Sequence, residues 1–244
     1  MTPAICVIGE WGGAAPANVE AVARSAAAAF DVSDEDEPAP VLLEPVAGED
    51  DPPITLFARS EHGEVVVRLN VRGNLWARLA YQFAHELCHV IADPTTFELD
   101  RFTWIEEALC ETGSLFALRS LATTWAADPP YANWRDYAPA LADYAAERMR
   151  DPAHGLPSGE PFADWLAERL PSLEADPGRR EDATIVAKEL LPIVEHDPIG
   201  WRALRYLHAG PQESSLREFM RGWSGACPRP YRWTVDAIAR ALSA

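Results

Sequence analysis

Residues 85–89 read His-Glu-Leu-Cys-His. On a helix, residues i and i+4 are neighbours on one face, so His85 and His89 stand one above the other. Two imidazoles so placed can take adjacent corners of a zinc tetrahedron, while the helix fixes their separation. Glu86 is rotated by about 100° from His85 by the 3.6-residue period. It can therefore lie beside a metal without binding it, where a base acting on bound water belongs. The chemistry this offers is hydrolysis. The plainer alternative is a pair of partly exposed histidines, with Glu86 reaching a neighbouring basic group.

The residues around the motif favour a metal. Leu79, Phe83, Leu87, Val90 and Ile91 make the segment apolar, as a buried helix would be. Two histidines and a glutamate in such a helix need partners or a cation, because unpaired polar groups there cost several kcal/mol by transfer. A catalytic zinc takes three protein ligands and leaves one position for water. The metzincin pattern would add a glycine and a third histidine, but Ala92 and Thr95 stand at those places. Asp93-Pro94 then ends the helix, since the residue before proline is steered away from helical geometry. A new helix is expected from Thr103, where Thr-Trp-Ile-Glu (103–106) matches a capping box. It presents Glu106, Glu107 and Glu111. Glu98 and Asp100 are rival ligands, in a loop with no helix to orient them.

The pair of segments, His85 to His89 and Trp104 to Glu111, resembles the gluzincin clan of zinc metallopeptidases, the thermolysin and aminopeptidase type. The resemblance covers about 30 residues and implies Glu107 as third ligand, because Glu107-Ala108 matches the ligand glutamate and the small residue after it. It implies that Glu111 holds His85 through the other ring nitrogen, a bond that fixes the tautomer and strengthens the ligand. Glu106 departs from the asparagine often found there, and its capping role accounts for it. One Zn2+ per chain, a peptide or protein substrate and Glu86 as general base follow from the same likeness. A tyrosine or histidine from the second half would stabilise the oxyanion; His196, Tyr206, His208 and Tyr231 are the candidates. The exopeptidase signature Gly-x-Met-x-Asn is absent. The implied fold is α+β and zincin-like: a small mixed β-sheet front lobe with the active-site helix, then a mostly α-helical back lobe.

The elements that must position these groups can be read from pattern. Residues 4–9, 41–46, 54–59 and 64–70 are apolar runs of strand length, separated by turn residues. Asn18 is expected to cap a helix over 19–30. From Asn74 the period is helical, with helices predicted near 75–92, 103–122, 132–150, 161–170, 180–195, 199–208, 213–224 and 231–243. This gives an α/β front lobe over 1–92 and a helical lobe over 93–244, together one catalytic unit. The run Glu64 to Asn70, just before the active-site helix, is a candidate edge strand that could pair with an extended peptide. An ordinary core strand is the alternative.

Composition narrows the classes. At 244 residues the chain can bury a sizeable core, and its formal charge of −17 opposes binding to a phosphate backbone. No apolar run is long enough to span a membrane, and the amino terminus lacks a secretory pattern. Cys6, Cys88, Cys110 and Cys227 are scattered without pairing motifs, as in a reduced, cytoplasmic protein. Cys88 and Cys110 read first as small apolar packing residues, with a thiolate ligand as the remote option. Cys88 takes a place where related helices often have glycine, so close packing against another backbone is expected there. The arginines of the last third could steer a substrate carboxylate or form a solvated helical face. Two further readings fit the same residues: a catalytically silent metallopeptidase-like binding or regulatory domain, and a helical scaffold without metal.

Overall fold

Short aliphatic runs near the amino terminus become strands: β1 (Ile5–Val7), β2 (Val41–Pro45), β3 (Ile54–Arg59) and β4 (Val65–Leu69). The computed structural model describes residues 2–30, 38–92, 101–157, 159–176, 180–209 and 215–243. Helices α1 (Pro16–Ala29), α2 (Trp76–Ala92), α3 (Thr103–Ala127), α4 (Ala138–Arg150), α5 (Phe162–Ala175), α6 (Arg180–His196), α7 (Leu216–Ala226) and α8 (Arg232–Ala241) make up most of the rest. The architecture is mixed, a small four-stranded sheet with a predominance of helix. Among the described residues no helix is long and apolar enough to cross a membrane. The chain divides into two compact units, Met1–Ile91 with Gly113–Arg148, and Ala92–Thr112 with Met149–Ala244.

In the first unit the sheet has the order β1-β2-β4-β3. β1, β2 and β4 run parallel, with Ile5 opposite Val41 and Val41 opposite Val65. Parallel neighbours need a crossover, and α1 provides it between β1 and β2. That helix starts at Pro16 rather than after Asn18, and its cap residue Ala15 gives no side-chain bond. Proline suits the first helical position because the N–H it lacks would have no partner there. Val19, Val22, Ala23, Ala26 and Ala27 form its buried face.

β3 and β4 make an antiparallel hairpin through residues 60–63. Ser60 N–H donates to the Glu64 carbonyl at 2.9 Å and Gly63 N–H to Ser60 O at 3.0 Å. Gly63 has φ +87°, open to glycine at little cost. The Ser60 hydroxyl also donates to the Glu64 carboxylate and holds that carboxyl below its ordinary range. The expectation that 64–70 is an edge strand is overturned: β4 has β2 on one side and β3 on the other. The hairpin turn places β3 on one flank, and the parallel ladder with β2 takes the other. β3 is the edge next to the helix motif's strand. Its pairing with β4 is regular over Ile54–Leu56 and then shifts, so that Arg59 faces Val65.

In the second unit the helices pack around Leu190, Val194, Trp201, Trp223 and Ile238, all buried. Trp223 Nε1–H donates to Ala203 O at 2.9 Å, which satisfies the indole in the interior. Ser215 caps α7: its hydroxyl accepts from Glu218 N–H and donates to the Glu218 carboxylate at 2.8 Å. The segment expected as a helix over 199–208 is a 3-10 helix over Pro198–Tyr206. Gly200 packs closely there, since an added Cβ would lie 2.0 Å from Thr234 Oγ1. α5 runs on through Pro171 to Ala175, past the expected stop at 170, and buries Leu173.

Candidate metal centre

Helix α2 carries the motif because one face is fully apolar. Leu79, Phe83, Ala84, Leu87 and Cys88 have no exposed surface, each of the larger ones contributing about 1.5–3 kcal/mol of burial. Three bonds fix its place in the first unit. Asn70 N–H, at the end of β4, donates to Gln82 Oε1 at 2.9 Å. The Ser114 hydroxyl donates to Tyr81 O at 3.0 Å. From the edge strand, the Thr55 hydroxyl donates to Glu86 Oε2 at 2.8 Å, with the Glu86 carbonyl 3.2 Å away. Neighbouring Gly113 of α3 lies so close to α2 that an added Cβ would meet Cys88 Sγ at 2.5 Å. The close packing against another backbone expected at Cys88 is thus present, at Gly113.

His85 and His89 are half-buried on α2, their ring centroids 5.2 Å apart and inclined at 69°. Cys110, three residues before Gly113 on α3, is fully buried. One ligand atom from each of His85, His89 and Cys110 lies within 4.8 Å of the other two. Tetrahedral zinc bonds of about 2.0–2.3 Å hold neighbouring donors roughly 3.4–3.7 Å apart. The three side chains could hold a metal ion. Two imidazoles and a thiol also suit a borderline-soft divalent ion. Glu107, the third ligand implied by the resemblance, is half-buried one turn before Cys110 and is not one of the three.

Glu86 is only 3% exposed, rotated off the histidine face as the helical period requires. Glu106 is likewise 2% exposed. Beyond the capping role expected of it, Glu106 Oε2 accepts from His208 Nε2 at 2.7 Å. Glu111 is buried on α3, where its Oε1 accepts from the Thr184 hydroxyl at 3.3 Å.

The other three candidates from the second half differ from His208. Tyr231 is buried, its hydroxyl accepting from Arg202 at 3.3 Å. His196 is exposed and its ring packs on Trp233 at 5.2 Å. Tyr206 is half-buried at the end of the 3-10 helix. Glu98 and Asp100 lie outside the described residues.

Sequence reasoning gave Cys110 only a remote role and did not find Thr55 or the Glu106–His208 pair. Cys110 is buried, and a small buried thiol reads as packing. Thr55 lies 31 residues from Glu86 and His208 lies 102 residues from Glu106, with no local pattern linking either pair. No protein-family model, no curated protein and no solved structure matches the chain.

Proposed function

We propose that this chain is a zinc-dependent peptidase. The observation that carries the reading is the convergence of His85, His89 and a third donor from α3 beside a buried Glu86. His85 and His89 hold the metal, and α3 offers Glu107 or Cys110, three residues apart, for the third bond. Zinc so bound supplies a polarised carbonyl and an acidic water. Glu86 takes the proton from the attacking water and returns it to the leaving nitrogen. Glu111 orients a zinc histidine, in keeping with the family likeness. Of the four candidates for the oxyanion, His208 is favoured, because a buried carboxylate, Glu106, fixes its ring. The exposed flank of β3, rather than β4, is the strand edge offered to an extended peptide.

The acidic surface disfavours nucleic acid as a partner. None of the cysteines is in a disulfide, which suits a reducing, cytoplasmic setting.

A second reading rests on the thiol. If Cys110 and Glu107 both bind, four protein donors close the sphere, and the zinc is structural in a binding domain. Metal analysis and a peptide-library cleavage assay decide between the two. The peptidase reading expects one zinc per chain, loss of most of it in either Glu107→Ala or Cys110→Ser but not both, and metal-dependent cleavage abolished by Glu86→Gln with zinc retained. Metal loss in both variants with no cleavage by the wild type supports the structural site. Full zinc in both variants refutes a third ligand from α3.

A further inference from the structure

We propose that Thr55 is a positioning residue for Glu86: its hydroxyl holds one carboxylate oxygen and leaves the other to move the proton. This rests on the reading of Glu86 as the general base. Glu86 is 3% and Thr55 8% exposed. Among the described residues, the Thr55 hydroxyl is the carboxylate's one side-chain partner, at 2.8 Å from Oε2. A carboxylate this deeply buried, with one side-chain donor among the described residues, depends on that donor for its orientation, because the alternative is a buried oxygen left unsatisfied.

The donor is itself rigid. Thr55 is β-branched, which restricts χ1. Its backbone is locked in register opposite Val67, in the regular part of the β3–β4 ladder just before the shift. The Glu86 carbonyl, 3.2 Å from the same hydroxyl, restricts where that hydroxyl can turn. A strand residue thus anchors to a helix residue at two points, side chain and backbone.

The proton accounting follows from this arrangement. Thr55 keeps its own proton throughout and donates it to Oε2. As an O–H bond of the attacking water breaks, the proton passes to Oε1 of Glu86. It then passes to the nitrogen of the breaking C–N bond, and Glu86 returns to the carboxylate. Without Thr55 the carboxyl can rotate, so that the reacting oxygen spends less time facing the water, and a small misplacement lowers rate far more than affinity.

The test compares wild type, Thr55→Val and Thr55→Ser, all zinc-loaded, on one quenched-fluorescent peptide taken from the library. Thr55→Val should lower kcat at least tenfold with KM changed less than twofold and zinc content unchanged. Thr55→Ser, which restores the hydroxyl, should return kcat to within about threefold of wild type.

A second readout needs no turnover. In the metal-free protein, Thr55→Val should lower the midpoint of thermal unfolding by several degrees, and by much less in a Glu86→Leu background. An active wild type with an unimpaired Thr55→Val variant overturns the positioning role and leaves the peptidase reading standing. Equal loss in Thr55→Val and Thr55→Ser also overturns it, because packing rather than the hydroxyl is then responsible. A wild type that binds zinc and cleaves nothing overturns both, whatever the thermal result.

Discussion

Gly113→Ala measures how closely α3 approaches α2. The added methyl carbon would sit 2.5 Å from Cys88 Sγ and 3.2 and 3.3 Å from two ring carbons of Phe30. Non-bonded heavy atoms of this kind prefer about 3.5–4.0 Å, so the overlap with sulfur is roughly 1 Å. Cys88 and Phe30 are both fully buried, and neither can swing into solvent. Two effects oppose each other. Alanine is worth about 1 kcal/mol over glycine in a helix interior, whereas overpacking a core costs about 1–3 kcal/mol. With a sulfur and an aromatic ring crowding the same point, the upper part of that range applies, and the net loss is about 1–2 kcal/mol.

For a chain of this size that lowers the thermal midpoint by about 2–8 °C. Cys88→Ala removes the sulfur, and in that background Gly113→Ala should be neutral or stabilising by up to about 1 kcal/mol. The two positions then couple by roughly 2 kcal/mol, as side chains in contact do. Thermal or urea unfolding of the wild type, both single variants and the double variant gives the cycle. A rise in midpoint for Gly113→Ala with Cys88 intact would falsify the close approach.

Three further outcomes are expected. Burial pushes the Cys227 thiol up to about 11, against an opposing pull from Arg232. A raised value means that the folded state favours the protonated thiol. The contribution is complete below the unfolded value near 9 and is lost as pH rises through 11, so Cys227→Ala should flatten the fall in stability over that window. A disulfide reagent at pH 8 should modify exposed Cys6 well before Cys227, and equal rates would contradict the burial. His208→Ala removes a donor from nearly buried Glu106 and should cost about 1–3 kcal/mol in urea unfolding, with His208→Gln recovering part. An unchanged midpoint in His208→Ala shows that the pair does not hold α3.

The existence of the main elements was legible because their signals are local. The hairpin at 60–63 and the α2 stripe of Leu79, Phe83 and Leu87 are turn chemistry and period, and both formed where expected. The start of α1 was misplaced because Asn18 is a good cap by type, whereas Pro16 fixes the first turn by geometry. Strand order was not legible. β2 pairs with β4 across the intervening β3, and pairing choice depends on which faces meet in the fold. The close packing of Gly200 on Thr234, 34 residues away in the chain, had no local signal either. In the candidate centre the two histidines were readable from their spacing on one helix. For the α3 donor the resemblance implied Glu107, and no local signal pointed to Cys110, one turn further along the helix.

The broken pairing of β3 bears on how the protein behaves in crowded solution. Ile54 and Phe57 are partly exposed on the flanking strand, the kind of apolar border along which separate molecules zip together. Only Ile54, Thr55 and Leu56 keep a regular ladder there, and the shift before Arg59 interrupts it. A single short extended segment can still pair there, but the shift leaves no long straight edge to template a growing stack, and irregular pairing of this kind opposes fibrous self-association.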